Sequence, residues 1–455
     1  MRTRFYWAVC VFTVSTTVVV PNLRAQALVG AAGQEPPHQH ADEARHYEGP
    51  PLALKDAVDE ALTKNPELLA LRAQLPVVRA KPAQERGLAP PMLEGTIWQW
   101  PINTLNPANT NMYMLMVGQE LPGRGKRDLR AAVAEKDVAL AESDVAVRAR
   151  QIVNDVKQTY TALFIARRAV DIHLASVDLL RQLADVSQLK YTTGRISQQD
   201  VLKPVVELSK LHNDILMLDE QAGLATARLN ILLDRAPDAP IGVLVDTGVS
   251  TSLPDTRTLQ QLAIDHQPEL QRARLEIERA EAELAAAKSA YKPDFTVQGG
   301  YLIMPNQTDA LLARVGISWP RAPWSRGRVD AQVAEHAAMV DTAKAKQRAM
   351  ENMVRLAVQE AYVRAKAAQE RAALLRTTIL PQSQQTLDVS RVAYQTDRVD
   401  FQALIDNERT LLDAQLDYVR ALSEFQQATA DLERAIGTDL PTASATAGRF
   451  AGGRP

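Results

Sequence analysis

Cysteine is almost absent from this sequence, because the only one among 455 residues is Cys10. It lies in MRTRFYWAVCVFTVSTTVVV, where Arg2 and Arg4 precede an apolar run, and Ala25-Gln26-Ala27 follows that run. This order is typical of a secretory signal peptide, which we predict over residues 1–27. The chain that remains after its removal would have no thiol, which excludes disulfides and cysteine-based metal sites.

The sequence also lacks an excess of either charge and a long apolar run beyond the signal peptide. Its 52 lysines and arginines nearly balance 54 aspartates and glutamates, which argues against a polyanionic partner such as nucleic acid. No later apolar stretch approaches the roughly 20 residues of a membrane-spanning helix. An exported chain of this kind is expected in the periplasm, the outer membrane or the medium.

Motifs of enzymes are missing as well. The sequence has no glycine-rich phosphate loop and no nucleophile motif. Four histidines, His173, His212, His266 and His336, are scattered along predicted helices. We therefore expect no enzyme activity and no cofactor.

What the sequence does contain is a long internal repeat. YTTGRISQQDVL, which begins at Tyr191, returns as YQTDRVDFQALI at Tyr394, 203 residues later. Three more pairs follow in the same order at offsets from 198 to 203 residues: NPEL and QPEL, GQELP and GISWP, LNILLD and LERAIG. A tandem duplication explains this order. We predict repeats over 51–245 and 250–440, a flexible N-terminal segment over 28–50 and a flexible tail over 441–455.

Each repeat is predicted to contain one very long helix, Gly123–Lys190 in the first and Pro323–Gln395 in the second. About 68 residues at a rise of 1.5 Å give a rod of about 100 Å. Pro381 should interrupt or bend the second rod, and the first repeat has no matching proline. In the helix after each rod, apolar residues recur at steps of three and four, which predicts a coiled-coil seam.

Two short segments in each repeat have the period of a β-strand. In the second repeat, apolar and polar residues alternate, as in a half-buried or a transmembrane strand. The four tryptophans beyond the signal peptide lie in or beside these segments, as in an interfacial belt. Soluble hairpins on a helical bundle remain the alternative. The four segments are Leu93–Trp100, Asn111–Gln119, Asp294–Ile303 and Leu311–Trp319.

Together these features resemble the TolC-like outer-membrane efflux proteins. The resemblance spans nearly all of the chain after the signal peptide and rests on the duplicated plan, NPEL, GQELPGRGKRDLR, ILPQSQQTL and YQTDRVDFQALIDNERTLLDAQLDY. It implies a mainly α fold with a small β part, in which a homotrimer forms an outer-membrane β-barrel continued by a periplasmic α-helical barrel. The GKR junction resembles the heavy-metal (CusC/CzcC-like) branch more than the drug-efflux branch.

The resemblance also implies a function and partners. The expected role is a passive exit duct of a tripartite efflux system, in contact with outer-membrane lipid, a periplasmic adaptor and an inner-membrane pump. Most of the chain would lie in the periplasm. A soluble periplasmic coiled-coil adaptor or structural protein is the alternative, although an adaptor usually carries only one helical hairpin.

Site residues are expected at the second Tyr-x-Thr-x-Arg turn. The resemblance places Asp406 of LIDNER near the constriction of the channel and gives Tyr394 and Arg398 the role of gate-linking residues. We predict that Asp400 contributes to the same ring of carboxylates. Rings of carboxylates favour cations. Ala403 stands where the family has another constriction carboxylate, and a helix N-cap is an alternative role for Asp400.

The first turn and its neighbour are expected to face the adaptor through Tyr191, Arg195 and Asp397. From the residues alone, Ser197 is predicted to cap the helix that follows, and Asp200 should interact favourably with the helix dipole.

Two segments contain residues that could bind a metal, although we commit to no metal site. His38 and His40 lie in EPPHQHADEARHYEG and could hold a transition metal, but a polar disordered tail is the preferred interpretation. Met112, Met114 and Met116 share one face of a predicted strand, and thioethers suit Cu(I). Packing or lipid contact is the alternative for these methionines.

Overall fold

The computed structural model describes residues 47–103, 106, 109–245, 253–305, 307–396 and 398–440. The predicted signal peptide, His38, His40 and the predicted C-terminal tail lie outside these residues. The described part is mainly α-helical with one small sheet, which confirms the predicted fold class. Its elements in chain order are α1 Leu54–Lys64, α2 Pro66–Arg86, β1 Met92–Trp98, β2 Met112–Leu121, α3 Lys126–Thr192, α4 Gln198–Leu232, α5 Thr256–His266, α6 Pro268–Ser289, β3 Phe295–Ile303, β4 Ala310–Ile317, α7 Arg326–Leu374, a π-helical turn Leu375–Ile379, α8 Leu380–Gln395 and α9 Phe401–Ile436.

The tandem duplication extends to individual hydrogen bonds. Asn65 caps α2 and donates from Nδ2 to the carbonyl of Leu232 at 3.1 Å. Gln267, 202 residues later, precedes α6 and donates from Nε2 to the carbonyl of Arg434 at 3.2 Å. Each amide side chain ties the start of a short helix to the end of the last helix in its own repeat.

The rods form as predicted. The first rod, α3, runs without interruption for 67 residues, which corresponds to about 100 Å. The second rod consists of α7, the π-turn and α8, and it ends at Gln395. None of the helices in the described ranges is both long and apolar enough to cross a membrane.

The π-turn lies two residues before Pro381, where the sequence predicted an irregularity. Proline has no backbone N–H and its ring clashes with a regular α-turn, so the turn and the proline fit together. A π-turn also holds one residue more than an α-turn. Buried residues of the two rods correspond at an offset of 202 before the turn and 203 after it: Ile152 and Val354, Val156 and Val358, Leu163 and Ala365, then Leu180 and Ser383, Ser187 and Ser390.

The π-turn therefore absorbs one residue that the second rod has and the first rod lacks. Without it, an extra residue would rotate the buried face of the downstream helix by about 100°, since α-helices have 3.6 residues per turn. Because the turn takes up this rotation, the buried Ser383 and Ser390 keep the places in their rod that correspond to Leu180 and Ser187.

The four strands form one antiparallel sheet in the order β1-β2-β3-β4, within a residue or two of the predicted bounds. The central pair, β2 and β3, joins the two repeats. One face is exposed and mainly apolar, and its large side chains are Leu93, Ile97, Tyr113, Leu115, Val117, Gln119, Leu121, Phe295, Val297, Tyr301, Ile303, Leu311, Val315 and Ile317. The outer edges of β1 and β4 have no strand partner within this sheet.

The sheet and the first rod meet at a charged junction. Lys126, the first residue of α3, is 6% exposed, and its Nζ lies 2.8 Å from both carboxylate oxygens of Asp294. The same carboxylate accepts a hydrogen bond of 2.7 Å from the backbone N–H of Gly123. A Cβ at Gly123 would lie 2.4 Å from the carbonyl oxygen of Pro293, so only glycine fits this approach.

The helices pack through the predicted seam. On α9 the seam residues Leu404, Leu411, Phe425 and Leu432 are buried, and on α4 the seam residues Leu211, Ile215 and Leu229 are buried. Three main apolar clusters result. One lies in each repeat around α1 or α5, and the third lies near the helix turns, where α3, α4, α8 and α9 meet.

Candidate functional site

The turn between α3 and α4 is closed by its own side chains. Gly194 takes a positive φ of 71°, and the backbone N–H of Arg195 donates to the carbonyl of Lys190 at 3.0 Å. Ser197 is the N-cap of α4, as predicted, and its hydroxyl and backbone N–H both donate to the Asp200 carboxylate. Tyr191 and Arg195 are exposed at this turn.

The turn between α8 and α9 repeats that geometry. The backbone N–H of Arg398 donates to the carbonyl of Ala393 at 2.9 Å, which matches the bond made by Arg195. Asp400 is the N-cap of α9, because its carboxylate accepts from the backbone N–H of Ala403 at 2.9 Å. Asp400 thus has the alternative role named above, that of a helix N-cap. Asp397 lies outside the described residues.

Tyr394 ties the two rods together. It is 3% exposed, and its hydroxyl lies 3.3 Å from the hydroxyl of Ser187 on α3. Lys190 donates to the backbone carbonyl of Tyr394 at 2.5 Å and lies 4.0 Å from the centre of its ring. Phe401 packs edge-on against the same ring at 5.6 Å. Tyr394 therefore anchors the second turn to the first rod within a single chain.

Both turns line one groove of about 910 Å³. The sequence placed both turns at the same end of the rods, and the fold sets them side by side. The predicted residues in its wall are Arg195, Tyr394, Arg398 and Asp400.

Asp406 lies farther along α9, about 9 Å from Asp400 at the rise of a helix. Its carboxylate accepts a hydrogen bond of 3.0 Å from Gln402 and lies 3.9 Å from an Nη of Arg409. More than half of its side-chain surface is exposed. The structure thus separates Asp406 from the Tyr394 anchor, and its place in a constriction stays a prediction.

Sequence reasoning missed an ion pair that links the two hairpins. Arg409 on α9 forms a two-pronged contact with Glu207 on α4, in which Nε donates at 3.1 Å. Lys210 adds a contact of 3.0 Å. These hydrogen bonds, with Arg409 first, lower the pKa of Glu207 below its usual range. Glu207 has a basic residue three positions later, a common surface pattern, so the sequence alone did not single it out.

A buried carboxyl group lies beside that ion pair. Glu408 is 3% exposed and accepts a hydrogen bond from the hydroxyl of Ser176 on α3. Burial raises the pKa of Glu408, and the Ser176 hydrogen bond opposes part of that rise. The stretch LIDNER looks like a solvated helix face in the sequence, so this burial could not be read from it.

No cluster of three or more His, Cys, Asp or Glu side chains in the described ranges is arranged to hold a metal ion. His173 is buried on α3, and its Nδ1 lies 2.8 Å from the carbonyl of Ala169. This contact within one helix explains that histidine without a ligand.

The fold defines a structural class: a duplicated chain that joins a small β-sheet to helical rods of about 100 Å. Residues 259–438 match the model of the family described as outer membrane efflux protein. This match spans 180 of the 455 residues, and over them the chain is similar to that family. The family is described as an outer-membrane one, and solved structures similar to this chain are outer-membrane channels.

Individual proteins are similar to this chain over most of its length. The cobalt-zinc-cadmium resistance protein CzcC of Cupriavidus metallidurans is 23% identical over 391 residues, which cover 85% of this chain and 90% of CzcC. The structure of CusC has a TM-score of 0.72 and 18% identity, with coverage of 85% of this chain and 92% of CusC. The outer-membrane channel MtrE of Neisseria gonorrhoeae has a TM-score of 0.71 and 16% identity, with coverage of 86% and 90%.

Proposed function

We propose that three copies of this chain form a passive exit duct for metal cations, which receives its cargo from a periplasmic adaptor and an inner-membrane pump. The observation that carries the proposal is the sheet with two unpaired edges, attached to two rods of similar length. In a membrane every backbone polar group needs a partner, so β1 of one chain must pair with β4 of the next. The duct has no enzymatic activity of its own.

Metal cations are the proposed cargo because of the relative CzcC, whose name describes cobalt-zinc-cadmium resistance. The test is a deletion of the gene in its host, followed by growth on graded concentrations of metal salts and of unrelated drugs. Greater sensitivity to metals than to drugs is expected. Unchanged metal tolerance, with all other outer-membrane channels removed, would contradict the metal cargo.

Within this duct, we place the gate at the helix turns. Asp406 and Asp400 form a threefold carboxylate arrangement that attracts cations, and Arg398 and Tyr394 hold the mouth closed. Tyr191, Arg195 and Asp397 face the adaptor. The groove shared by both turns supports this arrangement, because a movement of one turn is transmitted to the other through Lys190 and Tyr394.

Planar-bilayer conductance tests the gate. Asp406→Asn should lower the preference for cations, because it removes three like charges from the mouth. Asp400→Asn removes charge but retains an N-cap, so it separates selectivity from helix stability. Arg398→Ala should raise conductance. The matched control is Asp417→Asn, an exposed aspartate on the same helix. If the control changes selectivity as much as Asp406→Asn does, the effect is one of general surface charge.

A further inference from the structure

The sheet has two chemically different faces, and they can be assigned to different surroundings. The exposed apolar face described above contains no charged side chain. The opposite face carries Glu94, Thr96, Glu120, Gln298 and Arg314, together with the apolar Trp98, Leu302 and Leu312. Charged side chains are costly against lipid, whereas the interior of such barrels is polar. The polar face therefore lines the inside of the proposed barrel, and we call it the lumen face.

Methionines form an unbroken line along this lumen face. Met112, Met114 and Met116 occupy successive inward positions of β2, about 7 Å apart at the rise of a strand. Met92 on β1 pairs with Gly118, the next inward position. We call these four residues the methionine track. It extends about 20 Å along the strands, over most of their length.

The neighbours of the track differ along β2: Trp98 pairs with Met112, Leu302 pairs with Met114, and small or polar residues pair with Met116. Glu94 pairs with Met116 on one side, and Gly300 pairs with it on the other. A Cβ at Gly300 would lie 2.8 Å from Cγ of Met116, so the glycine leaves room for this side chain. Thr96 pairs with Met114. A water-filled lumen is an unusual place for four methionines, and lipid contact cannot explain them on this face.

We propose that the methionine track is a low-affinity binding site for soft monovalent cations, Cu(I) and Ag(I), in the barrel part of the duct. Thioethers are soft ligands that select Cu(I), whereas Zn²⁺ prefers thiolate, imidazole and carboxylate donors. Methionine is unbranched and has three rotatable bonds, so sulfurs from neighbouring positions can turn toward one ion. This assignment rests on the proposed function and narrows its cargo class.

Several weak sites in series suit transport better than one tight site. Conduction requires binding that is favourable enough for entry and weak enough for release. An ion can pass from one pair of thioethers to the next along the track without a change of ligand type. Glu94, beside Met116, adds a negative charge for each chain at the same level.

The test uses Ag(I), added as nitrate to the detergent-solubilised protein in chloride-free buffer, and X-ray absorption at the silver edge. The only cysteine of the sequence lies in the predicted signal peptide, so a silver–sulfur signal in the mature protein comes from methionine. The track variant is Met112→Leu/Met114→Leu/Met116→Leu, which nearly conserves side-chain volume. The control variant is Met217→Leu/Met339→Leu/Met353→Leu, which changes three exposed methionines on helices.

Wild type and the control variant should show silver–sulfur scattering, and the track variant should lose it and bind Ag(I) at least tenfold more weakly. Equal silver–sulfur scattering in wild type and track variant would overturn the proposal, as would wild-type silver held only by nitrogen or oxygen. Migration at the wild-type oligomer size in native gels confirms that each variant is folded. If Leu impairs assembly, Met114→Thr/Met116→Thr replaces the track variant, since Thr is compatible with this polar face.

Growth assays separate this proposal from the metal-efflux function. In the deletion strain, the track variant should restore tolerance to Zn²⁺ and Co²⁺ but not to Ag(I). Silver–sulfur binding to a protein whose deletion leaves metal tolerance unchanged would support the track and contradict the metal cargo. Full restoration of Ag(I) tolerance by the track variant would contradict a role of the track in transport.

Discussion

Side chains from distant parts of the chain meet at the helix turns and decide how firmly the two hairpins are joined. Arg409 and Glu207 lie 202 residues apart and connect α9 to α4. The side chain of Glu207 is only 15% exposed, so its charge depends on the basic partners around it. A buried charge that loses its partner is costly, because the desolvation it suffers is no longer offset.

Arg409→Gln should therefore destabilise the assembled protein by about 1–3 kcal/mol, because Glu207 keeps only Lys210 as a cationic neighbour. The measurement is the thermal midpoint of the detergent-solubilised protein. Arg420→Gln is the matched control, since Arg420 and its partner Asp417 are both largely exposed. Surface pairs of this kind contribute at most about 1 kcal/mol. An equal decrease in the thermal midpoint of both variants would show that the contact with Glu207 stabilises the protein no more than an exposed ion pair does.

Glu408 gives a pH dependence of the opposite sign to that of Glu207. Its pKa is raised in the folded protein, so the folded state binds the proton more strongly than the unfolded state does. Stability is then highest below the unfolded pKa of about 4.3 and falls as pH rises through the folded pKa.

Glu408→Gln should remove this loss, so the thermal midpoint rises at pH 7 and changes less between pH 4.5 and 7. The Ser176 hydroxyl can still donate to the amide oxygen of Gln. Glu281→Gln, at an exposed position of α6, is the control and should leave the pH profile unchanged. A lower midpoint for Glu408→Gln at pH 7 would indicate that the ionised carboxylate is the stabilising form.

At the scale of helices and strands, the spacing of apolar residues predicted those features that depend on one element alone. The rods, the coiled-coil seam and the strands all follow from spacing of apolar residues. Asp406 and Arg409 show the limit of that approach. They share a helix turn in the sequence, but only the fold reveals that Arg409 reaches Glu207 on α4. The pairing of β2 with β3 across 174 residues or more is likewise invisible to local patterns, because it joins the two repeats.

The irregularity at Pro381 was predictable, but its form was not. Proline signals only that a regular α-turn is unfavourable. The π-turn emerges from the comparison of buried positions in both rods, which requires the fold of both.

If the π-turn absorbs one extra residue, deletion of a single residue should have different effects in the two rods. Removal of Thr377, combined with Pro381→Ala, should convert the π-turn to an α-turn and leave the downstream helix face in place, so the protein assembles. Removal of Asp178, an exposed residue of the uninterrupted α3, should rotate Leu180 and Ser187 by about 100° and abolish assembly. Native gels of the two variants provide the measurement. Assembly of both variants, or of neither, would contradict the proposed role of the turn.

For the whole molecule, the four-stranded sheet is the feature that requires other copies. In the part of the chain that the structure describes, the outer edges of β1 and β4 are both unpaired. Several exposed apolar residues on α4, including Leu216 and Leu224, also lack cover in the single chain. Contacts between copies can satisfy both requirements at once.

The mass of the purified protein in detergent should therefore equal three chains, and this mass should persist on dilution. Native mass spectrometry with removal of the detergent in the gas phase gives the number of chains directly. A folded monomer that remains stable in detergent would contradict the proposed shared barrel, whatever the cargo of the duct.

The π-turn has a mechanical consequence for such an assembly. In a ring of three chains, rods of the first kind and rods of the second kind alternate around the axis. Three rods are then uniform in stiffness along their length, and the three between them contain one compliant joint near the mouth. When the mouth widens, the two kinds of rod would therefore move by different amounts. The three α7–α8 rods would bend at their π-turns while the three α3 rods stay straight. The aperture would therefore open with threefold rather than sixfold symmetry.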